Sequence, residues 1–180
     1  MGIEIERKFL LASDDWRRQV EHSERIAQGY LVGAQALRDG SACASVRARI
    51  SGAQAWLNIK AARTGIERAE FDYPIPLVDA EAMLAELCDG VLEKIRHHVH
   101  VDGTLSEVDE FLGDNAGLIV AEVELPAVDA AFPRPPWLGA EVSALARYYN
   151  VNLIEQPYAG WSQAERDAVD ADRSKGAQTC

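Results

Sequence analysis

Cysteine is scarce in this sequence. Cys43, Cys88 and Cys180 make an odd number, and no C-x-x-C pair occurs. A disulfide framework and a paired-cysteine zinc site are therefore not expected, and a reducing compartment, the cytoplasm, is. Cationic charge is also in deficit: 18 lysines and arginines face 29 acids, a formal net charge of −11. That sets aside nucleic acid and anionic membranes as main partners, because both demand net cationic surface. It leaves room for a small anion held by a local basic cluster. No apolar run approaches the roughly 20 residues of a membrane span. The opening residues carry Glu4, Glu6, Arg7 and Lys8, too much charge for a secretory signal. A Gly-rich phosphate loop and a Ser-His-Asp motif are both missing.

What the 180 residues do have is alternation. Residues 3–11 place Ile3, Ile5, Phe9 and Leu11 on one face and Glu4, Glu6, Lys8 and Leu10 on the other. Further strands are expected at 25–33, 43–51, 54–61, 66–75, 91–101, 104–112 and 117–125, eight in all, separated by glycines and prolines such as Gly52, Gly65, Pro76 and Gly103. Ser13, Asp14 and Asp15 open a short helix to about Val20. Asp79 opens another on Ala80–Leu87, with Gly90 beyond its end. Pro126–Pro136 reads as a stiff loop and Ser143–Tyr149 as a short helix. Ser162 with Glu165 makes a capping box, and the end frays from about Ala171.

The charges inside these strands sit two residues apart and so share faces. They are also sorted by sign. Acids and Lys8 open the chain, Arg47, Arg49, Lys60, Lys94 and Arg96 dominate the middle strands, and Glu122 and Glu124 close. Two architectures satisfy this pattern. A sandwich would turn the apolar faces inward and the charges to water. A barrel would keep the charges inside and pack helices on its apolar outer wall. The second is tolerable only if lumen charges are paired, hydrated or bound to ligand and metal. A polyanion with divalent cations satisfies both signs: carboxylates hold hard cations, arginine forks onto phosphate oxygens, and lysine adds point charge.

At these residues the chain resembles the CYTH superfamily, the triphosphate tunnel metalloenzymes, and its short single-domain bacterial branch in particular. The E-x-E-x-K motif falls on Glu4, Glu6 and Lys8. It is followed in order by Q-G-Y-L at Gln28–Leu31, V-R-A-R at Val46–Arg49, L-N-I-K at Leu57–Lys60 and R-A-E at Arg68–Glu70. E-K-I-R at Glu93–Arg96, E-V-D-E-F at Glu107–Phe111 and A-E-V-E-L at Ala121–Leu125 come next, then W-L-G-A-E-V-S at Trp137–Ser143 and R-Y-Y-N at Arg147–Asn150. Asn58 stands where the family usually has threonine, and His97 where it has an aromatic residue; by parity Asn58 points in and His97 out.

The resemblance implies an α+β fold, a closed eight-stranded antiparallel β-barrel with a polar lumen and a few helices outside. Residues 1–155 would be the tunnel domain, and 156–180 a C-terminal helix and tail of the same domain. It implies Mg²⁺ or Mn²⁺, two per site, held by Glu4, Glu6, Glu122 and Glu124 with Glu70 and Asp109 nearby. It implies triphosphate gripped by Lys8, Arg47, Arg49, Lys60, Arg68, Lys94 and Arg96, with Lys8, Glu4 and Glu6 closest to the chemistry. Lumen charges, counted with Glu141 and Arg147, are then nearly balanced. Glu141 and Arg147 either join that set or pair with each other, and Tyr30 is a site hydroxyl or a packing residue. The activity implied is tripolyphosphate hydrolysis. Class IV adenylate cyclase, thiamine triphosphatase and a non-catalytic phosphate binder are the rivals, and a homodimer stays open. His98 and His100 share a face, but no further His or Cys has zinc-ligand spacing.

Overall fold

The structure, a computed structural model, describes residues 2–62 and 66–167. Nine strands form one antiparallel sheet: β1 (Gly2–Leu11), β2 (Val20–Val32), β3 (Ala44–Ser51), β4 (Gln54–Ala61), β5 (Glu67–Ile75), β6 (Val91–Val101), β7 (Thr104–Phe111), β8 (Ile119–Glu124) and β9 (Leu138–Glu141). Their order is β5-β4-β3-β2-β6-β7-β8-β1-β9, and a further pairing of β5 with β1 closes the first eight into a barrel. Closure removes the free edges that an open sheet would expose. Strand β1 makes this possible by dividing one edge. Gly2–Ile5 pair with β5, and Phe9 and Leu11 pair with β9, while Glu6–Leu10 use the other edge for β8. The β6–β7 hairpin turns on Asp102 and Gly103, both at positive φ, as a two-residue turn with Asp-Gly requires.

The main hydrophobic core lies outside the barrel. Ile5, Phe9, Val99, Val108, Ala121 and Val123 project outward from β1, β6, β7 and β8 to meet Leu125, Trp16, Trp137 and Leu138. Burying each side chain of this size stabilises the fold by about 1.5–3 kcal/mol. Trp16 comes from a 3-10 turn, Asp15–Gln19, where the sequence predicts a short helix. The Pro126–Pro136 loop closes over the same wall, its Ala130 and Phe132 packing on the core. On the other side, helix α2 (Leu77–Glu86) lies across β2, β3 and β4. It approaches so closely at Gly29 that a Cβ there would stand 2.9 Å from Leu84 Cδ2.

The second core occupies part of the lumen itself. Leu10, Leu92, Phe111 and Val120 have the same parity as Lys8, Lys94, Asp109 and Glu122, yet they are apolar and pack with Val142, Tyr148, Leu153 and Trp161. One end of the interior is therefore filled by side chains and by the 3-10 turn Ala146–Tyr148 with helix α3 (Asn150–Glu155) behind it. The lumen is polar over only part of its length.

Several expected boundaries move. Strand β2 starts at Val20 rather than 25. The second helix starts at Leu77, straight after Pro76, which places Asp79 inside its first turn. The helix expected at 143–149 is the 3-10 turn followed by α3. Helix α1 (Ala34–Arg38) and β9 are additions. The Ser162–Glu165 capping box forms: the Ser162 amide donates to Glu165 Oε2 at 2.8 Å and the Glu165 amide to Ser162 Oγ at 3.3 Å. Gly65 and the expected fraying from Ala171 lie outside the described residues.

Candidate active site

Inward-facing residues of β1 to β8 line a cavity of about 1060 Å³. It brings together Glu4, Glu6, Lys8, Arg47, Arg49, Lys60, Arg68, Glu70, Lys94, Arg96, Glu122 and Glu124. Of the residues expected to hold metal or phosphate, Asp109 is off the cavity surface; it is fully buried beneath Lys94 and Arg96.

Strand register explains how so many charges coexist. Glu4 faces Arg68, Lys60 faces Glu70, Lys8 faces Glu122 and Arg96 faces Asp109. Opposite charges on facing strands stabilise one another. The contacts follow this pairing. Lys60 Nζ lies 2.6 Å from Glu4 Oε1, and Arg68 Nε lies 2.8 Å from Glu4 Oε2. The Lys8 ammonium pairs with Glu122 and, at 2.5 Å, with Glu6. Arg96 donates to both oxygens of Asp109 at 2.8 Å and to Glu122 at 2.6 Å. Lys94 pairs with Asp109.

Burial and pairing then compete over each proton. Burial pushes the Glu4 carboxyl up, but Lys60 and Arg68 outweigh it and bring the group down to about 2. Burial pulls the Lys8 ammonium down, but Glu122 and Glu6 outweigh it and hold it above its ordinary value. Glu122 is held well below its ordinary value because Lys8, Lys94 and Arg96 overcome its burial. Lys94 goes the other way: burial and neighbouring Arg96 lower it despite Asp109.

Two places escape this neutralisation, and they have opposite sign. On β3, Arg47 faces Asn58 and Arg49 faces Trp56, both neutral. Among the described residues Arg47 has no carboxylate partner. Arg49 reaches only Asp72, at 3.5 Å, and its Nε is buried without a partner. Burial and the charge of Arg47 lower the Arg49 guanidinium below its ordinary value. At the acidic place, Glu6 faces Glu124 and Glu107 faces Glu122. Partial burial, with Glu4, Glu107, Glu70 and Glu6 around it, raises the Glu124 carboxyl above its ordinary value. The cavity is thus preset for an anion beside β3 and a cation beside Glu124.

Divalent metal fits the donor chemistry at that acidic place, which is all carboxylate oxygen with excess negative charge. Among the described residues no three His, Cys, Asp or Glu side chains already converge on one metal-sized point. Glu4, Glu6 and Glu122 are turned onto lysines and arginines, so a cation must compete with Lys60, Arg68 and Lys8 for them.

The structure resolves the open assignments. Glu141 and Arg147 neither line the cavity nor pair with each other. Glu141 accepts from Arg7 Nε at 2.8 Å on the outer wall, and Arg147 donates to the Glu165 carbonyl at 2.6 Å. They leave the lumen charge count, and Asp72 and Glu107 enter it. Both have the parity of Glu70 and Asp109, which was the signal for them. Tyr30 lines the cavity. His98 bonds Glu24 at 3.1 Å and His100 bonds Glu21 at 2.9 Å, while His97 turns outward against Trp16. Asn58 points inward, as parity predicts, and is almost wholly buried.

The fold and its lumen define a triphosphate-tunnel architecture, and comparison with known proteins agrees. The model of the CYTH domain matches residues 2–158, and the chain belongs to that family. The chain is 38% identical over 164 residues to an inorganic triphosphatase of Acetivibrio thermocellus, covering 91% of this chain and all of that one. It is 33% identical over 153 residues to an inorganic triphosphatase of Nitrosomonas europaea, covering 83% and 95%. A crystal structure of an inorganic triphosphatase superposes with a TM-score of 0.60 at 32% identity, covering 86% of this chain and 95% of that one. CYTH triphosphatases are metal-dependent as a class. Among the described residues no helix is long and apolar enough to cross a membrane.

Proposed function

We propose that this protein is a metal-dependent inorganic triphosphatase that hydrolyses tripolyphosphate to pyrophosphate and phosphate inside its barrel, in the cytoplasm. The observation that carries the reading is the separation of uncompensated charge within one cavity, arginines on β3 and carboxylates around Glu124. A linear polyanion accompanied by hard cations is the ligand that completes both at once. Two full-length relatives called inorganic triphosphatases support the substrate class.

In this reading Arg47 and Arg49 hold phosphate oxygens, with Lys60, Arg68, Lys94 and Arg96 shared between phosphate and carboxylates. Glu4, Glu6, Glu122 and Glu124 hold Mg²⁺ or Mn²⁺, two ions, with Glu70 beside them. A metal held there would supply neutralisation of charge on the phosphate oxygens and a more acidic attacking water. Lys8 stays protonated between Glu6 and Glu122 and donates to charge developing at the reacting phosphoryl group. Asp109 acts from below by fixing Lys94 and Arg96. The apolar plug of Leu10, Leu92, Phe111 and Val120 limits water on that side. Water's oxygen bonds to a terminal phosphorus as its bond to the bridging oxygen breaks; pyrophosphate leaves with the bridging oxygen, phosphate keeps the water's oxygen, and one proton passes to solvent.

The rival substrates carry an organic group that needs a platform. Trp161 is buried in the plug, and Trp56 is covered by the Arg49 guanidinium at 5.1 Å. Measuring kcat/KM for tripolyphosphate, ATP and thiamine triphosphate under identical metal tests the assignment. Preference for tripolyphosphate is expected; faster conversion of ATP, or formation of cyclic AMP, overturns it.

A further inference from the structure

Arg47 differs from its neighbours in what holds it. Lys8, Lys60, Arg68, Lys94 and Arg96 each rest on carboxylates. Arg47 rests on two neutral amides. Its Nε donates to Asn58 Oδ1 at 3.2 Å and its Nη1 to Gln28 Oε1 at 3.2 Å. These amides are almost sealed from solvent, at 1% exposure each. Asn58 is itself oriented, because its Nδ2 donates to Asp72. Gln28 is satisfied on one side only: its Nε2 is buried with no partner, and the residue lines the cavity.

An amide oxygen accepts an arginine N–H without cancelling its charge, whereas a carboxylate would neutralise it. A buried N–H left unpaired is costly and calls for an explanation. We infer that Gln28 and Asn58 are specificity elements of the triphosphate site. Together they fix the Arg47 guanidinium while leaving its charge available to phosphate. Gln28 Nε2 adds a neutral donor to an oxygen of the same phosphate group. This explains why neutral residues flank the arginines of β3 in a lumen where Lys8, Lys60, Arg68 and Arg96 face acids. The inference rests on the triphosphatase reading and assigns two residues that reading leaves without a role.

The test is steady-state kinetics and metal-free calorimetric binding of tripolyphosphate and pyrophosphate, for wild type, Asn58→Asp, Gln28→Glu, Gln28→Met and Asn58→Thr. Either added carboxylate should raise the tripolyphosphate KM and Kd by about tenfold or more, with kcat within about threefold, because uniform binding is lost. The loss should be larger for tripolyphosphate than for pyrophosphate, a charge dependence that general loosening of the barrel would not produce. Gln28→Met, which removes the donor and adds no charge, should weaken binding about threefold, and Asn58→Thr, which keeps an acceptor, should stay within about twofold. Asn58→Asp sits beside Asp72, so if it melts early Gln28→Glu and Gln28→Met decide. Wild-type affinity in the folded Gln28 variants overturns the inference. A wild type that binds tripolyphosphate but releases no phosphate overturns the triphosphatase reading instead, and the ranking of Kd values then judges the amides alone.

Discussion

Lys8 on β1 stands directly opposite Glu122 on β8, and their side chains form an ion pair with 7% and 6% of their surfaces exposed. The same ammonium reaches Glu6 at 2.5 Å, so one lysine holds two carboxylates that are also metal candidates. Charge pairing across strands, rather than apolar packing, is what fills this part of the interior.

Removing that lysine should therefore damage stability and activity together. Lys8→Ala leaves Glu122 buried beside the largely buried Glu6, with Arg96 still on Glu122 and Arg68 3.8 Å from Glu6. A loss of about 3 kcal/mol in urea unfolding is expected. Phosphate release should fall at least ~100-fold, the scale of losing one preorganised donor. Unchanged stability would show that the pair is solvated.

Glu124 should behave in the opposite way. Among the described residues its carboxylate sits among acids without a cationic partner, so its ionised form opposes the metal-free fold at neutral pH. Its site is partly open to water and screened, and the gain from Glu124→Gln should be modest, about 1–3 °C in Tm. Mg²⁺ should raise the Tm of wild type more than that of the variant, while phosphate release is lost. A fall in the metal-free Tm would contradict this assignment.

Acid sensitivity follows from Glu4. Its carboxyl is held at about 2, against an ordinary 4.5. A depressed acid contributes stability that is present above the unfolded value and lost as pH falls through the folded one. Urea midpoints of metal-free protein should therefore drop between about pH 4.5 and pH 2. Glu4→Gln should flatten that drop; parallel curves for the two proteins would rule Glu4 out as its source.

The apolar plug predicts a different kind of variant. Phe111 is buried inside the barrel beside Lys94, whose ammonium lies 5.6 Å from its ring centre. Phe111→Ala should cost about 3–5 kcal/mol through lost burial and a cavity. Full activity at low temperature is compatible with this prediction; an unchanged urea midpoint is not.

Much of this was legible from strand parity. Glu4, Glu6 and Lys8, or Arg47 and Arg49, are two apart, and a strand must present them together, so a run of such strands delivers a charged lumen. Parity breaks down where both faces are polar. Residues 20–25, Val-Glu-His-Ser-Glu-Arg, show no alternation, so the start of β2 gives no signal there. It also fails for short elements held by tertiary contact alone. Strand β9 has four residues and depends on Gly139, where a Cβ would lie 2.8 Å from the Leu10 carbonyl oxygen. Pairing across the lumen needs the register, which no local pattern contains. That is why the sequence leaves Glu141 and Arg147 open between the lumen set and a mutual pair, and gives Gln28 no role. Leu10 was the visible trace of the plug: one apolar residue on an otherwise charged face.

The most direct test of the whole account is phosphate release from tripolyphosphate by wild type with Mg²⁺, by wild type with EDTA, and by Glu4→Gln with Mg²⁺. Rapid release by the first, and loss of at least ~100-fold in the other two, is the predicted result. Release that persists in EDTA, or that survives in Glu4→Gln, would contradict a metal-dependent site built on the carboxylates of this lumen.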